Sequence, residues 1–257
     1  MTQLRHSYHL NCHTYCTLML HEIEITLPEE VPVMTLPQMA FFPQALIPLH
    51  IFEPRYRAML SDVLKTNRLF ALVGLNTQVV TDEERNEPPC SIGCVGLVRS
   101  SKENQNGTSD LMLQGLCRVE IRSIVREEPY RVVKIKPLIS KPAGAGVDLN
   151  FKRAELGKLI AIKHKLLFQN DKALAQYLKT IEDPETFIDL AAFTLCDNPE
   201  FKQKLLETLD LSERYELYSD RLRLWLCFAW RRSCKVELLR IKLLIIKRLS
   251  LGALLVP

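Results

Sequence analysis

Few residue sets in this 257-residue chain have the types and spacing for chemistry. Near the N-terminus His9/His13 and Cys12/Cys16 each stand four residues apart, which on a helix would put each pair on one face, and nitrogen and sulfur donors suit zinc. The paired Cys-x-x-Cys knuckles of a structural zinc site are missing, so an adventitious extension is the favoured reading and no metal is assigned. Cys90-Ser-Ile-Gly-Cys94 has the wrong spacing for a thioredoxin-like redox pair. Cys94 reads instead as a small buried residue at a strand start, and Cys117, Cys196, Cys227 and Cys234 read as packing. Gly157-Lys158 is followed by Leu159 and lacks the earlier glycine of a phosphate cradle, and a Gly-x-Ser-x-Gly elbow is missing. His50 has no candidate nucleophile beside it and reads as a hydrogen-bonded structural histidine. Glu53, Arg55 and Tyr56 could form a surface site, although a helix-capping carboxylate, a solvated arginine and a core-facing ring account for them at least as well and are the favoured reading. The expectation is a protein with no catalytic set and no cofactor, not an enzyme.

The elements that must position these residues are clearest between Leu36 and Leu75. A proline-punctuated apolar strand from Phe42 to Ile51 meets Glu53-Pro54, where proline presets φ for a first helical turn. Tyr56, Met59, Leu60, Val63 and Leu64 then follow the spacing of one buried helix face. Leu69 to Leu75 is a continuous apolar run of strand length. Further strands are predicted over Gly93–Arg99, Leu111–Gln114, Arg118–Arg122 and Arg131–Lys136, with a hairpin at Asn106-Gly107. In the last two strands apolar and charged residues alternate, so one face is expected in water. Short strands at this spacing predict a compact, mostly antiparallel barrel or rolled sheet.

Leu36-Pro37, Phe42-Pro43, Pro48-Leu49 and above all the seven residues His50-Ile-Phe-Glu-Pro-Arg-Tyr56 resemble the amino-terminal, substrate-binding domain of Lon proteases, and especially its stand-alone relatives. The resemblance extends more weakly from Leu36 to Leu222 and includes Leu205-Leu-Glu-Thr-Leu-Asp-Leu-Ser-Glu-Arg214. It implies a PUA-like β-barrel and a non-catalytic module that recognises exposed apolar segments of unfolded or damaged proteins, with a separate ATPase or protease as a further partner. Full-length Lon proteases carry an ATPase and a Ser/Lys peptidase module after this region; the chain stops at Pro257, so neither activity is expected of it. The contact residues this reading selects are Phe41, Phe42 and Pro43, with Glu53, Arg55 and Tyr56 beside them and the exposed barrel edge, where an extended client could add a strand.

Beyond the flexible Lys141–Val147 break the apolar period becomes helical. Leu156, Leu159, Ile160 and Leu167 mark one helix, and Asp183-Pro184 and Asn198-Pro199 each place a capping side chain before a first-turn proline. Ser212 is expected to cap a helix that could run to Ser250. The fold class is therefore α+β, with an N-terminal extension over 1–34, a β-barrel lobe over 35–141, a helical lobe over 142–211 and a long basic helix over 212–257. Net charge is only +4, but from Trp225 to Arg248 seven basic residues face one acid. That helix suits self-association or a scaffold role. An RNA-binding PUA-like module is the alternative, thinly supported because the interleaved aromatics are confined to Trp225, Phe228 and Trp230. The N-terminus offers no secretion signal and no apolar run reaches bilayer length, so a cytoplasmic location without a membrane span is expected.

Overall fold

A computed structural model describes residues 8–10, 16–20, 23–76, 87–144, 146–166 and 172–229. The chain is α+β. Strands β1 (Tyr8–Leu10), β2 (Cys16–Leu20) and β3 (Ile23–Leu27) form a small antiparallel sheet. His9 and Cys16 thus lie on paired strands, not on one helix, while Cys12 and His13 lie outside the described residues.

The larger sheet contains β4 (Glu30–Leu36), β5 (Leu46–Ile51), β6 (Leu69–Gly74), β7 (Ile92–Glu103), β8 (Ser109–Arg126) and β9 (Val132–Leu138) in the order β5-β8-β7-β6-β4-β9. A further β8–β9 pairing joins its far end back to β8, so β4, β6, β7, β8 and β9 close into a ring. β5 stays outside that ring, paired to the first half of β8. The β4–β6 pair is parallel, which requires a crossover, and β5 with helix α1 (Pro54–Lys65) supplies it. Leu111–Gln114 and Arg118–Arg122, expected as two strands, are parts of the single long β8. Register shifts at Ile121/Ser123 and Ile124/Arg126 bend it as the ring requires.

β6 is apolar throughout because both its faces are covered. Leu69, Ala71 and Val73 join a core made of strand residues such as Val33, Val95, Val119 and Val133. Phe70 and Leu72 point the other way, into a core shared with Tyr56, Met59 and Val63 of α1 and with the helices. Leu64, expected on the buried face of α1, is exposed.

The helices are α2 (Leu149–Leu166), α3 (Lys172–Thr180), α4 (Pro184–Leu195), α5 (Pro199–Glu207) and α6 (residues 211–229). Asp183 and Asn198 accept the expected cap bonds, from Thr186 N at 2.8 Å and Phe201 N at 2.7 Å. α6 is capped by Asp210, which accepts from Glu213 N at 3.0 Å; Ser212 already lies inside the helix. Leu167 and the basic segment from Trp230 onward lie outside the described residues. Cys94, Cys117 and Cys196 are buried as expected, but Cys227 is exposed. Burial pushes the Cys94 thiol up to about 12.

The helices are fastened to the sheet by buried charge. Arg118 of β8 was expected on a water-facing strand face, yet it is 2% exposed and donates from Nη1 and Nη2 to both oxygens of Asp189 on α4, at 2.8 and 2.6 Å. Arg214 of α6, also fully buried, donates to the same carboxylate at 2.9 Å. The remaining donors find the carbonyls of Leu206 (3.0 Å) and Thr208 (2.9 Å) and the Ser140 hydroxyl (2.8 Å). Glu185 supplies a second carboxylate, 3.5 Å from Arg118. Two cations thus meet two anions, and the desolvation cost of each is offset by short, charge-assisted bonds.

Candidate functional site

β5 begins where the chain leaves the core. Gln44 adopts a positive φ of 63°, and the Ala45 carbonyl accepts from Gly115 N at 2.9 Å. The register then runs from Leu46↔Gln114 to Ile51↔Ser109. In an antiparallel ladder the bonds recur at alternate residues, so Ile47, Leu49 and Ile51 continue the bonding begun at Ala45. The backbone groups of Leu46, Pro48 and His50 therefore turn to the other edge, which no strand among the described residues occupies. Pro48 can offer only its carbonyl there, which interrupts the edge without closing it.

Side chains alternate along the same strand. Ile51 is buried, and Leu46, Pro48 and His50 are exposed. Phe52 follows just past the strand, stacked on His50 with ring centroids 6.2 Å apart. Leu46 is 55% exposed and Phe52 62% exposed. An apolar stripe thus runs beside an open backbone edge.

The polar residues around the stripe hold its far end. His50 Nδ1 lies 2.6 Å from Asp110 Oδ1, and Asn104 Nδ2 donates to Asp110 Oδ2 at 2.9 Å. The bond to His50, then that from Asn104, holds the Asp110 carboxyl below its usual range. A group depressed in this way contributes stability above its unfolded pKa and loses it as pH falls through the folded value. In NMR titrations Asp110 is therefore expected to titrate below an ordinary aspartate, and His50→Ala to raise it; an unmoved midpoint would contradict the pairing.

Glu53 sits at the N-cap position of α1 but makes no cap bond; its carboxylate accepts from Arg55 Nε at 2.9 Å instead. Arg55 also binds Glu87 at 3.0 Å and lies over the Tyr56 ring at 4.5 Å. The Glu87 bond leads in raising its pKa. Tyr56 faces inward with its hydroxyl 3.4 Å from the Thr35 carbonyl, and burial raises its pKa.

Of the residues selected from sequence, only Glu53 and Arg55 offer polar groups at the surface. Phe41, Phe42 and Pro43 are buried, with neither phenylalanine exposed at all, and Tyr56 is in the core. Both phenylalanine rings pack in the core where the chain turns into β5, so neither presents surface in this conformation. Leu46 and Phe52, exposed beside the edge, are not among the residues selected from sequence. Their signal was the two-residue period from Leu46, hidden because both faces of β5 carry apolar residues.

Residues 30–223 match the family of the ATP-dependent protease La (LON) substrate-binding domain. The Lon protease of Dictyoglomus thermophilum is 27% identical over 190 residues, which cover 74% of this chain and 24% of that protein. That of Desulfosudis oleivorans is 27% identical over 204 residues, covering 76% and 24%. The chain spans about a quarter of the length of the curated relatives it matches. Among solved structures, the N-terminal domain of a Mycobacterium avium complex Lon protease superposes with a TM-score of 0.59 at 19% identity, covering 76% of this chain and 98% of that one. A Lon N-terminal domain protein from Xanthomonas campestris gives 0.50 at 19% identity, covering 73% and 95%.

Proposed function

Because the chain belongs to the Lon substrate-binding domain family, we propose that it is a non-catalytic module that takes extended apolar segments of unfolded or damaged polypeptides along β5. The observation that carries this reading is the open edge of β5 with Leu46, Pro48 and Phe52 exposed beside it. A client strand laid there bonds to the backbone of Leu46 and His50 while its side chains cover the stripe. Pro48 breaks the ladder, which limits unbounded edge-to-edge pairing between copies. The client would then pass to a separate ATPase or protease in the cytoplasm. Among the described residues no helix is long and apolar enough to cross a membrane.

The test is an anisotropy titration with a fluorescent unfolded polypeptide at low and high salt, with single-stranded RNA as competitor. Saturable binding that survives both is expected. The Leu46→Asp/Phe52→Asp protein should bind about tenfold or more weakly, since covering one such side chain is worth roughly 1.5–3 kcal/mol. Unchanged affinity in that variant, or binding abolished by salt and displaced by RNA, would overturn the reading in favour of another surface or of nucleic acid. A second reading, self-association through α6, is favoured by Leu224 and Phe228, four residues apart and both exposed. Light scattering on the same samples decides it, because a monomer that still binds client excludes it.

A further inference from the structure

Next to the end of β5, where Ile51 pairs with Ser109, α1 and the β7–β8 hairpin line an open cleft of about 500 Å³, within the range of roughly 300–1,000 Å³ usual for ligand sites. Its polar lining is Arg57, Ser61 and Lys65 from α1 and Ser101, Glu103 and Ser109 from the hairpin strands. Leu64, exposed, adds an apolar wall, with Leu60 buried behind it.

These polar groups are unspent. Among the described residues the Arg57 guanidinium, the Glu103 carboxylate and the three serine hydroxyls make no side-chain hydrogen bond or ion pair. Arg55, two residues earlier, is tied to both Glu53 and Glu87. Lys65 has only a loose contact with Asp62, at 3.9 Å. Gly107, at the hairpin turn with φ +76°, lies so close that a Cβ there would stand 2.4 Å from Arg57 Nη2, so the turn packs against one side of the guanidinium. The planar fork of that exposed guanidinium matches a planar anion.

We infer that this cleft binds the free C-terminal carboxylate of an apolar polypeptide end. This inference rests on the client reading only in taking the ligand to be a polypeptide. The carboxylate matches the Arg57 fork, with Lys65 adding charge. Peptide N–H groups near the chain end donate to Glu103 and the serine hydroxyls, and the last side chain lies on Leu64. A phosphate fits less well: it would satisfy Arg57 but bring two negative charges against Glu103, with no donor for that carboxylate.

The experiment uses the full chain and a fluorescein-labelled hexapeptide of alternating alanine and leucine, prepared as the free acid and as the C-terminal amide. The free acid is expected to bind about tenfold or more tightly than the amide, as loss of a charge-assisted bond implies. Arg57→Gln should bring the acid down to the affinity of the amide. Equal binding of acid and amide to the unsubstituted protein overturns the inference, as does a preference that persists in Arg57→Gln. An unfolded polypeptide blocked at its C-terminus reports β5 separately and should bind Arg57→Gln normally, which also shows that the variant is folded. If the blocked polypeptide binds and the unsubstituted protein shows no acid preference, the cleft fails alone. If an Arg57-dependent acid preference is present and the blocked polypeptide does not bind, the β5 reading fails alone.

Discussion

The Asp189→Ala protein is expected to be less stable than the unsubstituted chain by about 3–5 kcal/mol, because it leaves two buried arginines without their shared carboxylate. Arg118 and Arg214 are 2% and 0% exposed, so neither can turn to water without opening the seam between β8, α4 and α6. Glu185 stands nearby but is already engaged by the Ser140 hydroxyl. It lies 3.5 Å from Arg118 and 3.7 Å from Arg214, too far to replace the bonds of 2.6–2.9 Å that Asp189 accepts. In urea, with a slope of about 2–3 kcal/mol per molar, the unfolding midpoint should fall by roughly 1–2.5 M. A loss under about 1 kcal/mol would mean that both guanidinium groups reach solvent, contrary to the burial described here. Replacing Arg118, Asp189 and Arg214 together by apolar residues of similar volume should cost less than Asp189→Ala alone, since the fully buried charges go together and the carboxylate left, Glu185, is 27% exposed and keeps the Ser140 hydroxyl. The cluster also reaches the turn into β5. Arg118 lies over the Phe42 ring at 5.8 Å, and Phe42 leads into the turn that starts β5.

That cluster marks where reading the sequence stops. α1 was legible because Tyr56, Met59, Leu60 and Val63 repeat at helical spacing after Pro54, and α4 and α5 because a capping side chain precedes a proline. β6 was legible because an apolar run bounded by asparagines is too short for a helix. These signals are local. Arg118 looked solvated because its neighbours alternate, and its partner Asp189 is 71 residues away in a helix not yet placed. Composition also hid the edge face of β5, since Leu46 and Ile47 look alike in sequence although one is exposed and the other packs against the core. Phe41 and Phe42 follow from the family resemblance, but an apolar ring is equally suited to a core. α3 was missed because its nine residues give only about two and a half turns of period. Gly115, which separated two expected strands, is the point where one strand changes partners.

Gly115→Ala is expected to damage stability and client binding together. At Gly115 the long strand β8 passes from pairing with β5 to pairing with β9, and the Phe42–Ala45 turn crosses directly over it. Gly115 donates to the Ala45 carbonyl and accepts from Gln44 N, both at 2.9 Å, so two bonds hold the turn against its backbone. A Cβ at this position would stand 2.1 Å from the Phe42 carbonyl oxygen and 3.0 Å from its carbon. Both are backbone atoms, so no rotamer change can relieve the contact and the turn itself must lift. Overpacking of this kind costs about 1–3 kcal/mol, and more where backbone must move. Lifting the turn also breaks one or both of its bonds to Gly115 and shifts the entry of β5, on which the positions of Leu46 and the open edge depend. The unfolding midpoint should therefore fall, and affinity for the unfolded polypeptide should fall even at temperatures where the variant is fully folded. Asp183→Ala is the control: losing that helix cap costs about 1 kcal/mol in α4 without touching the turn. If Gly115→Ala and Asp183→Ala lose client affinity equally at matched stability, β5 is not the client edge. If only Gly115→Ala loses it, the shape of the turn and not global stability sets the site.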